Sequence, residues 1–231
     1  RLFVAEKPSL GRAIAAELGV TKNNPTFQIC GSDTVTWCFG HILEQYDPQD
    51  YDDNLRTWRR RDLPIVPAEW KLRPKESALT QLQVINHLLS EAEMVVHAGD
   101  PDREGQLLVD EVLEHFHYTG PVQRIWLASL DSRSIQKALS TLKDNSNYAN
   151  LRDAARARSQ ADWLIGMNAS RAMTIFGQET GHTDGVLSLG RVQTPTLALV
   201  VQRDREIAAF TPIDYLVLQA TLQHDAGTFS A

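Results

Sequence analysis

The chain has 231 residues, 42% of them hydrophobic and 23% charged, values ordinary for a globular protein with one large or two small domains. A net charge of −6 and a pI near 5.6 argue against tight, uniform binding to nucleic acid at physiological salt, although local patches can still bind it. No stretch is long and apolar enough to cross a bilayer and the N-terminus does not read as a signal peptide, so no membrane association is expected and a cytoplasmic location is.

Leu2-Phe3-Val4-Ala5 is a compact apolar run that reads as a strand and ends on Glu6-Lys7-Pro8-Ser9. Pro8 and Ser9 open a helical pattern through Leu10, Ile14, Ala15 and Leu18 that stops at Gly19. Residues 27–30 and 35–39 read as a hairpin around Gly31-Ser32-Asp33. Its two cysteines, Cys30 and Cys38, are placed to oppose one another, as buried free thiols that suit a cytoplasm. Two cysteines make neither a disulfide framework nor a zinc site. Residues 47–74 form an irregular stretch with Trp58, Trp70 and the run Arg59-Arg60-Arg61, which is either a solvated face or a nucleic-acid contact.

Ser77 opens a helix with Leu79, Leu82, Ile85, Leu88 and Leu89 on one stripe. Met94-Val95-Val96-His97-Ala98 reads as a short buried strand, followed by the block Gly99-Asp100-Pro101-Asp102-Arg103-Glu104-Gly105 and a helix to about residue 118. A strand over 122–127 and a helix capped by Asp131 and running to about 142 come next. Strands alternating with helices across short connections predict an α/β fold with a doubly wound, Rossmann-like parallel sheet.

Asp144-Asn145-Ser146-Asn147 reads as a hinge, after which the pattern is mainly helical. One helix spans about 148–174 and carries Arg152, Arg156 and Arg158; a loop over 177–185 holds Thr180, His182 and Asp184; a second helix spans about 192–209. Ser188, Gly190, Arg191, Gln193 and Thr194 lie about its first turn, where helix amides with Arg and Gln make a cradle for phosphate. Helix capping and solvation are the alternative for Arg191 and Gln193. Trp163 is either a base-stacking platform or a core residue. Residues 214–222 alternate as a strand.

The block at 99–105 carries the chemistry. Its three carboxylates, Asp100, Asp102 and Glu104, sit at alternate positions at the carboxyl end of a parallel strand, where open α/β sheets place ligands. Oxygen-only donors suit a hard cation, above all magnesium (Mg2+), held by one or two carboxylates with water and phosphate completing the shell. The alternative is an acidic loop that caps a helix. Glu6 has the same setting at the end of the first strand. If the two strands are neighbours, Glu6 faces Asp100 and Asp102, and like-charge repulsion lets it hold a proton for general acid work. Lys7 supplies positive charge for a phosphate.

Leu-Phe-Val-Ala-Glu-Lys-Pro-Ser at 2–9 and Ala-Gly-Asp-Pro-Asp-Arg-Glu-Gly at 98–105 resemble the TOPRIM domain of type IA DNA topoisomerases. Collinear matches follow at Val35-Thr36-Trp37-Cys38-Phe39-Gly40-His41, Asp62-Leu63-Pro64-Ile65, Ala161-Asp162-Trp163-Leu164-Ile165-Gly166 and Leu187-Ser188-Leu189-Gly190-Arg191-Val192-Gln193-Thr194-Pro195. The acidic block is shared with primases and nucleases; the Gly-Arg-Val-Gln-Thr-Pro block is far more specific.

The resemblance implies a TOPRIM metal-binding catalytic domain over 1–146, a helical DNA-binding domain over 147–210 and the first strand of a β-rich gate domain over 211–231, truncated here. It implies that Glu6 and Lys7 are catalytic, that Asp100, Asp102 and Glu104 hold Mg2+, and that Arg158, Asp162, Arg191 and Gln193 contact DNA. Its activity is ATP-independent relaxation or decatenation of DNA by single-strand cleavage, strand passage and religation through a 5′ phosphotyrosine. The partner expected is single-stranded DNA, the protein a monomer, and any helicase partner is left open. None of the five tyrosines lies in the Tyr-Pro-Arg-Ser-like context of the nucleophile, so this piece is expected to be inactive in cleavage alone. Two alternatives stand beside this reading: another TOPRIM metal-dependent nuclease, and a non-catalytic single-stranded-DNA-binding module.

Overall fold

The computed structural model describes residues 1–182 and 184–231. It divides into two compact units, residues 1–190 and residues 191–231. In the first unit the chain runs β1 (Leu2–Ala5), α1 (Pro8–Leu18), β2 (Lys22–Asn23), β3 (Phe27–Cys30), β4 (Asp33–Trp37), β5 (Leu43–Gln45) and α2 (Pro48–Tyr51). It continues through β6 (Leu72–Pro74), α3 (Leu79–Glu91), β7 (Val95–Ala98), α4 (Arg103–His115), β8 (Val122–Arg124), α5 (Ser132–Leu139), β9 (Lys143–Asp144) and α6 (Ala149–Glu179). The second unit contains α7 (Gln193–Ala208) and the antiparallel hairpin of β10 (Thr221–His224) and β11 (Gly227–Ser230).

Seven strands form one sheet in the order β2-β3-β4-β1-β7-β8-β9. The centre, β4-β1-β7-β8, is parallel, as the alternation of strands and helices predicts. The edges β2, β3 and β9 are antiparallel; short turns join β2 to β3 and β3 to β4, whereas β9 returns beside β8 after α5. Every residue of β1 and β7 is buried, which explains why both read as unbroken apolar runs rather than alternating ones. Their side chains alternate between two cores. Leu2, Val4 and Val95 pack with Leu82, Ile85, Leu108 and Val112 of α3 and α4. Phe3, Ala5, Val96 and Ala98 pack with Leu10, Ile14 and Ile135 of α1 and α5. The sheet is therefore covered on both faces, the doubly wound arrangement.

Four local expectations change. Cys30 pairs with Asp33 across the hairpin and Cys38 lies beyond the end of β4, so the thiols do not oppose one another, although both are buried and free. The 122–127 strand is shorter: β8 ends at Arg124, which still pairs with His97 on one side and Lys143 on the other. Of the 214–222 strand only the last two residues form: residues 214–220 are not a strand, and β10 starts at Thr221. Asp144–Asn147 is not a bare hinge: Asp144 ends β9 and caps the following 3-10 turn through Ser146 N at 2.8 Å, and the Asn145 side chain donates to Asp110 at 2.9 Å.

The stretch 47–74 is tied to α6 residue by residue. Trp163 is buried, donates Nε1–H to Tyr46 O at 2.9 Å and meets Trp70 edge-on at 5.4 Å. That geometry makes it a core residue and removes it as a stacking platform. Asn168 brackets Ile65, accepting from its N–H at 2.6 Å and donating to its carbonyl at 2.9 Å. Arg171 donates to Leu55 O at 2.7 Å and lies over the Trp58 ring. Within the arginine run, Arg60 pairs with Glu179 at 2.6 Å, and Arg61 with Asp62 at 3.8 Å.

Candidate active site

The parallel register of β1 and β7 pairs Leu2 with Val95 and Ala5 with Ala98. Both strands thus end at the same level, and the next residues leave the sheet side by side. Glu6 N–H donates to Ala98 O at 3.2 Å, and the Glu6 Oε2 accepts from Asp100 N–H at 2.9 Å. Lys7 Nζ reaches Asp100 Oδ2 at 2.5 Å. This bond is the main reason the Lys7 ammonium is held above its ordinary pKa, with the charges of Glu6 and Asp102 adding to it. Residues 94 apart in the chain therefore meet in one small acidic cluster.

The turn itself is built by its sequence. Asp102 N–H donates to Asp100 O at 2.8 Å, and Asp102 caps α4, its Oδ1 accepting from Gly105 N–H at 2.8 Å. Helix capping and ligand placement are thus not alternatives for this loop, since one carboxylate oxygen caps and the other is left over. Gly99 and Gly105 let the turn fold back on the helix. A Cβ on Gly99 would lie 2.1 Å from Gly105 O, and one on Gly105 would lie 2.5 Å from Asp100 N and 2.6 Å from Glu6 Oε2. Glu104 points to α6, where Arg158 Nη1 donates to it at 2.8 Å. Arg158 Nε also lies 3.9 Å from Asp162 Oδ2, one turn along the helix. His41 arrives after β4, beside Glu6: Gly40 N–H donates to Glu6 O at 3.2 Å. His41 Nδ1 sits 3.6 Å from Glu111, whose carboxylate raises the imidazole pKa.

Glu6, Lys7, Asp100 and Asp102 thus meet at the strand ends, while Glu104, Arg158 and Asp162 form an ion-pair chain of their own beginning two residues further along, all in the first unit. Arg191 and Gln193 belong to the second unit, at the entry to α7 and as its first residue. Among the described residues no three acidic, histidine or cysteine side chains converge closely enough to make a preformed metal cage. Magnesium does not need one, because it is usually held by one or two carboxylates plus water and phosphate. Asp100 Oδ1 and Asp102 Oδ2 carry no hydrogen bond among the described residues, while their partner oxygens are taken by Lys7 and the helix cap. This two-carboxylate oxygen set fits a hard cation.

A buried polar network under the turn escaped the sequence reading. Arg124, Gln106, Asp110 and His97 are all buried. Gln106 Nε2 donates to Asp110 at 2.8 Å and to Asn145 at 2.8 Å, and Arg124 Nε donates to Gln106 Oε1 at 2.8 Å. The signals were an arginine inside an apolar strand and Gln106/Asp110 spaced i,i+4 on an otherwise apolar helix face. His97 Nε2 contacts Gln106 O at 3.0 Å, so it carries the proton, and Nδ1 accepts from Gly99 N–H at 3.3 Å. Burial first, then the Arg124 charge, pushes the imidazole pKa down to about 3.

Between about pH 6.5 and 3 the unfolded chain binds a proton at His97 that the native chain refuses, so stability falls as pH drops through that window. The loss is at most ~1.4 kcal/mol per pH unit. Asp110, whose pKa burial raises, acts with the opposite sign. His97→Gln keeps a donor and an acceptor but does not titrate, and should flatten this acid limb in denaturant melts run from pH 7 to 4. An unchanged slope would show that His97 does not set it.

A Toprim domain match covers residues 1–130, and a DNA topoisomerase domain match covers residues 146–231. The chain is 49% identical to DNA topoisomerase 3 of Vibrio cholerae, over 99% of this chain and 36% of that protein. It is 47% identical to DNA topoisomerase 3 of Haemophilus influenzae over 95% of this chain and 35% of that protein, and 37% identical to that of Staphylococcus aureus over 96% and 31%. The chain thus spans about a third of the length of the curated relatives it matches. The full-length topoisomerase I of Thermotoga maritima shares the fold across the whole chain, with a TM-score of 0.60 at 20% identity, over 34% of that structure. The domain match over residues 1–130, which spans the strand ends of β1 and β7, shows that this chain belongs to the Toprim family, with a DNA topoisomerase domain match beginning at residue 146 as in bacterial DNA topoisomerase 3.

Proposed function

We propose that the chain is the N-terminal, cation-binding part of a type IA DNA topoisomerase, acting on single-stranded DNA. The observation that carries this reading is the meeting of Glu6, Lys7 and Asp100 at adjacent strand ends. The division into a metal-binding part up to residue 146 and a strand-binding part over 147–210 is supported by the domain match that starts at residue 146. Asp100 and Asp102 would hold Mg2+, with Glu104 assisting. When bound, the cation would supply positive charge against the scissile phosphate.

The residues of this chain then divide the work. A tyrosine from outside residues 1–231, its phenol proton passing to solvent, attacks the phosphorus, forming the P–O bond to tyrosine as the bond to the 3′ oxygen breaks. Glu6 gives the departing 3′ oxygen its proton and takes it back for religation. Lys7, already beside Asp100, stabilises charge on the phosphate oxygens. Arg158 on α6, beside which Asp162 lies as its ion-pair partner, contacts the strand at its phosphates, and in the second unit Arg191 and Gln193 at the start of α7 contact the backbone likewise. The covalent link conserves the phosphodiester energy, so no nucleotide is consumed, and no P-loop occurs in the chain.

The test is cleavage of an end-labelled single-stranded oligonucleotide by the full-length protein. Divalent-cation-dependent cleavage with the 5′ end covalently retained is expected, and residues 1–231 alone should give no adduct. Cleavage with both ends free would favour a TOPRIM nuclease using activated water. Binding without cleavage by the full-length protein would favour a silent module.

A further inference from the structure

Arg124 has no part in the steps above, yet it is the most heavily bonded side chain near the turn. It lies at the end of β8 and is only 1% exposed. Nη2 donates to Asp100 O at 2.7 Å; Nη1 donates to Gly99 O at 2.8 Å and Ile125 O at 2.7 Å, with His97 O at 3.3 Å. Nε donates to Gln106 Oε1, the side chain already pinned by Asp110 and Asn145. Trp126 and Tyr148 stack on each other, 5.0 Å apart, and lie 5.1 and 5.9 Å from the guanidinium carbon. Burial lowers its pKa to about 10, so it stays charged near neutral pH. A buried cation without partners is strongly destabilising. Here every partner but Gln106 is a backbone carbonyl, and three of those belong to the residues that lead into and form the acidic turn.

We propose that Arg124 is the positioning residue of the cation site. It clamps the carbonyls beneath Asp100 and so sets where the carboxylates of Asp100 and Asp102 stand, while itself touching neither cation nor DNA. This rests on the reading of those two aspartates as cation ligands. Only a guanidinium serves, because its planar fork aims five N–H groups in fixed directions; an ammonium has three rotatable donors at a single point.

The experiment is Mn2+ binding to the full-length protein, read as free manganese by electron paramagnetic resonance and as the cation-induced rise in melting temperature. Arg124→Lys should need about tenfold more Mn2+ or above for half-saturation, the size of effect typical of residues that orient metal ligands. Arg171→Lys is the control. Arg171 is also buried and bonded to a backbone carbonyl, but of Leu55. It should lower the melting temperature and leave Mn2+ affinity unchanged.

Trp126→Leu, at a side chain 39% exposed, tests the same clamp where Arg124→Lys does not fold; it should weaken Mn2+ severalfold by opening the guanidinium to water. Wild-type Mn2+ affinity in Arg124→Lys, or in Trp126→Leu when that variant stands in, overturns the proposal. Asp100→Asn separates the two readings. Binding lost in Asp100→Asn but kept in Arg124→Lys defeats only the positioning role. Binding absent from the wild type, or unchanged in Asp100→Asn, defeats the cation site and the positioning role together.

Discussion

Glu6→Gln should abolish cleavage and religation by the full-length protein, by about 10²–10⁴-fold, while leaving its melting temperature nearly unchanged. The two side chains have the same shape. The Glu6 Oε2 only accepts, from Asp100 N–H, and a glutamine oxygen can accept there equally well. The loop should therefore keep its place. What is lost is a group that can release and recover a proton next to the departing 3′ oxygen. Single-turnover oligonucleotide cleavage beside thermal melting separates these effects. Full activity in a folded Glu6→Gln protein would remove Glu6 from the mechanism. A large loss of stability would instead make its contribution structural. Lys7 is not interchangeable with Glu6 here, since its ammonium is held above its ordinary pKa by Asp100 and so stays protonated.

The second large effect concerns backbone. Gly99→Ala places a methyl 2.1 Å from Gly105 O and 2.7 Å from Gly105 C. Both obstacles are main chain, so no rotamer change relieves the clash and either the turn or the first turn of α4 has to move. Overpacking of this kind costs roughly 1–3 kcal/mol or more. For a unit of this size that is a fall of roughly 2–10 °C in melting temperature. Because Asp100 and Asp102 ride on the displaced turn, cation binding should fall with it. Gly105→Ala meets Asp100 backbone and the Glu6 carboxylate and should behave alike. Gly166→Ala supplies the contrast. Gly166 lies inside α6, and its added methyl would meet Leu189 O, in the segment beyond the helix, at 3.8 Å, an ordinary contact, so the exchange should be neutral or stabilising by up to about 1 kcal/mol. Melting curves of the three variants check the argument, and a stable Gly99→Ala protein that still binds the cation would refute it.

Much of the site was legible because its chemistry is local. Asp100, Asp102 and Glu104 alternate after an apolar run, and strand-end turns before helices collect ligands whatever the rest of the fold does. The structure keeps that setting and adds that Asp102 caps the helix as well. The connection of Glu6 to this turn was conditional on strand neighbours, a condition that the β1–β7 register meets. Arg124 was passed over because a charged residue in a six-residue apolar run carries no local sign of whether it turns inward. Trp163 was ambiguous for the same reason. A tryptophan on a helix is a platform or a core residue according to what lies opposite, and here Trp70 and Tyr46 of a distant loop lie opposite. The 214–222 pattern failed over 214–220 because alternation alone does not make a strand without a partner to pair with, and the hairpin partner Gly227–Ser230 faces Thr221–His224 instead.

From its sequence alone this protein specifies the apolar strands, the helices they alternate with, the glycines that permit a tight acidic turn and the oxygen donors on it. These follow from side-chain chemistry and spacing over a few residues. The tertiary structure alone decided that Glu6 and Lys7 meet Asp100, that Arg158 reaches Glu104, and that a buried guanidinium holds the turn from beneath. Those contacts join residues 24 to 94 positions apart, so they exist only once parallel pairing and the packing of α6 on α4 have brought the segments together.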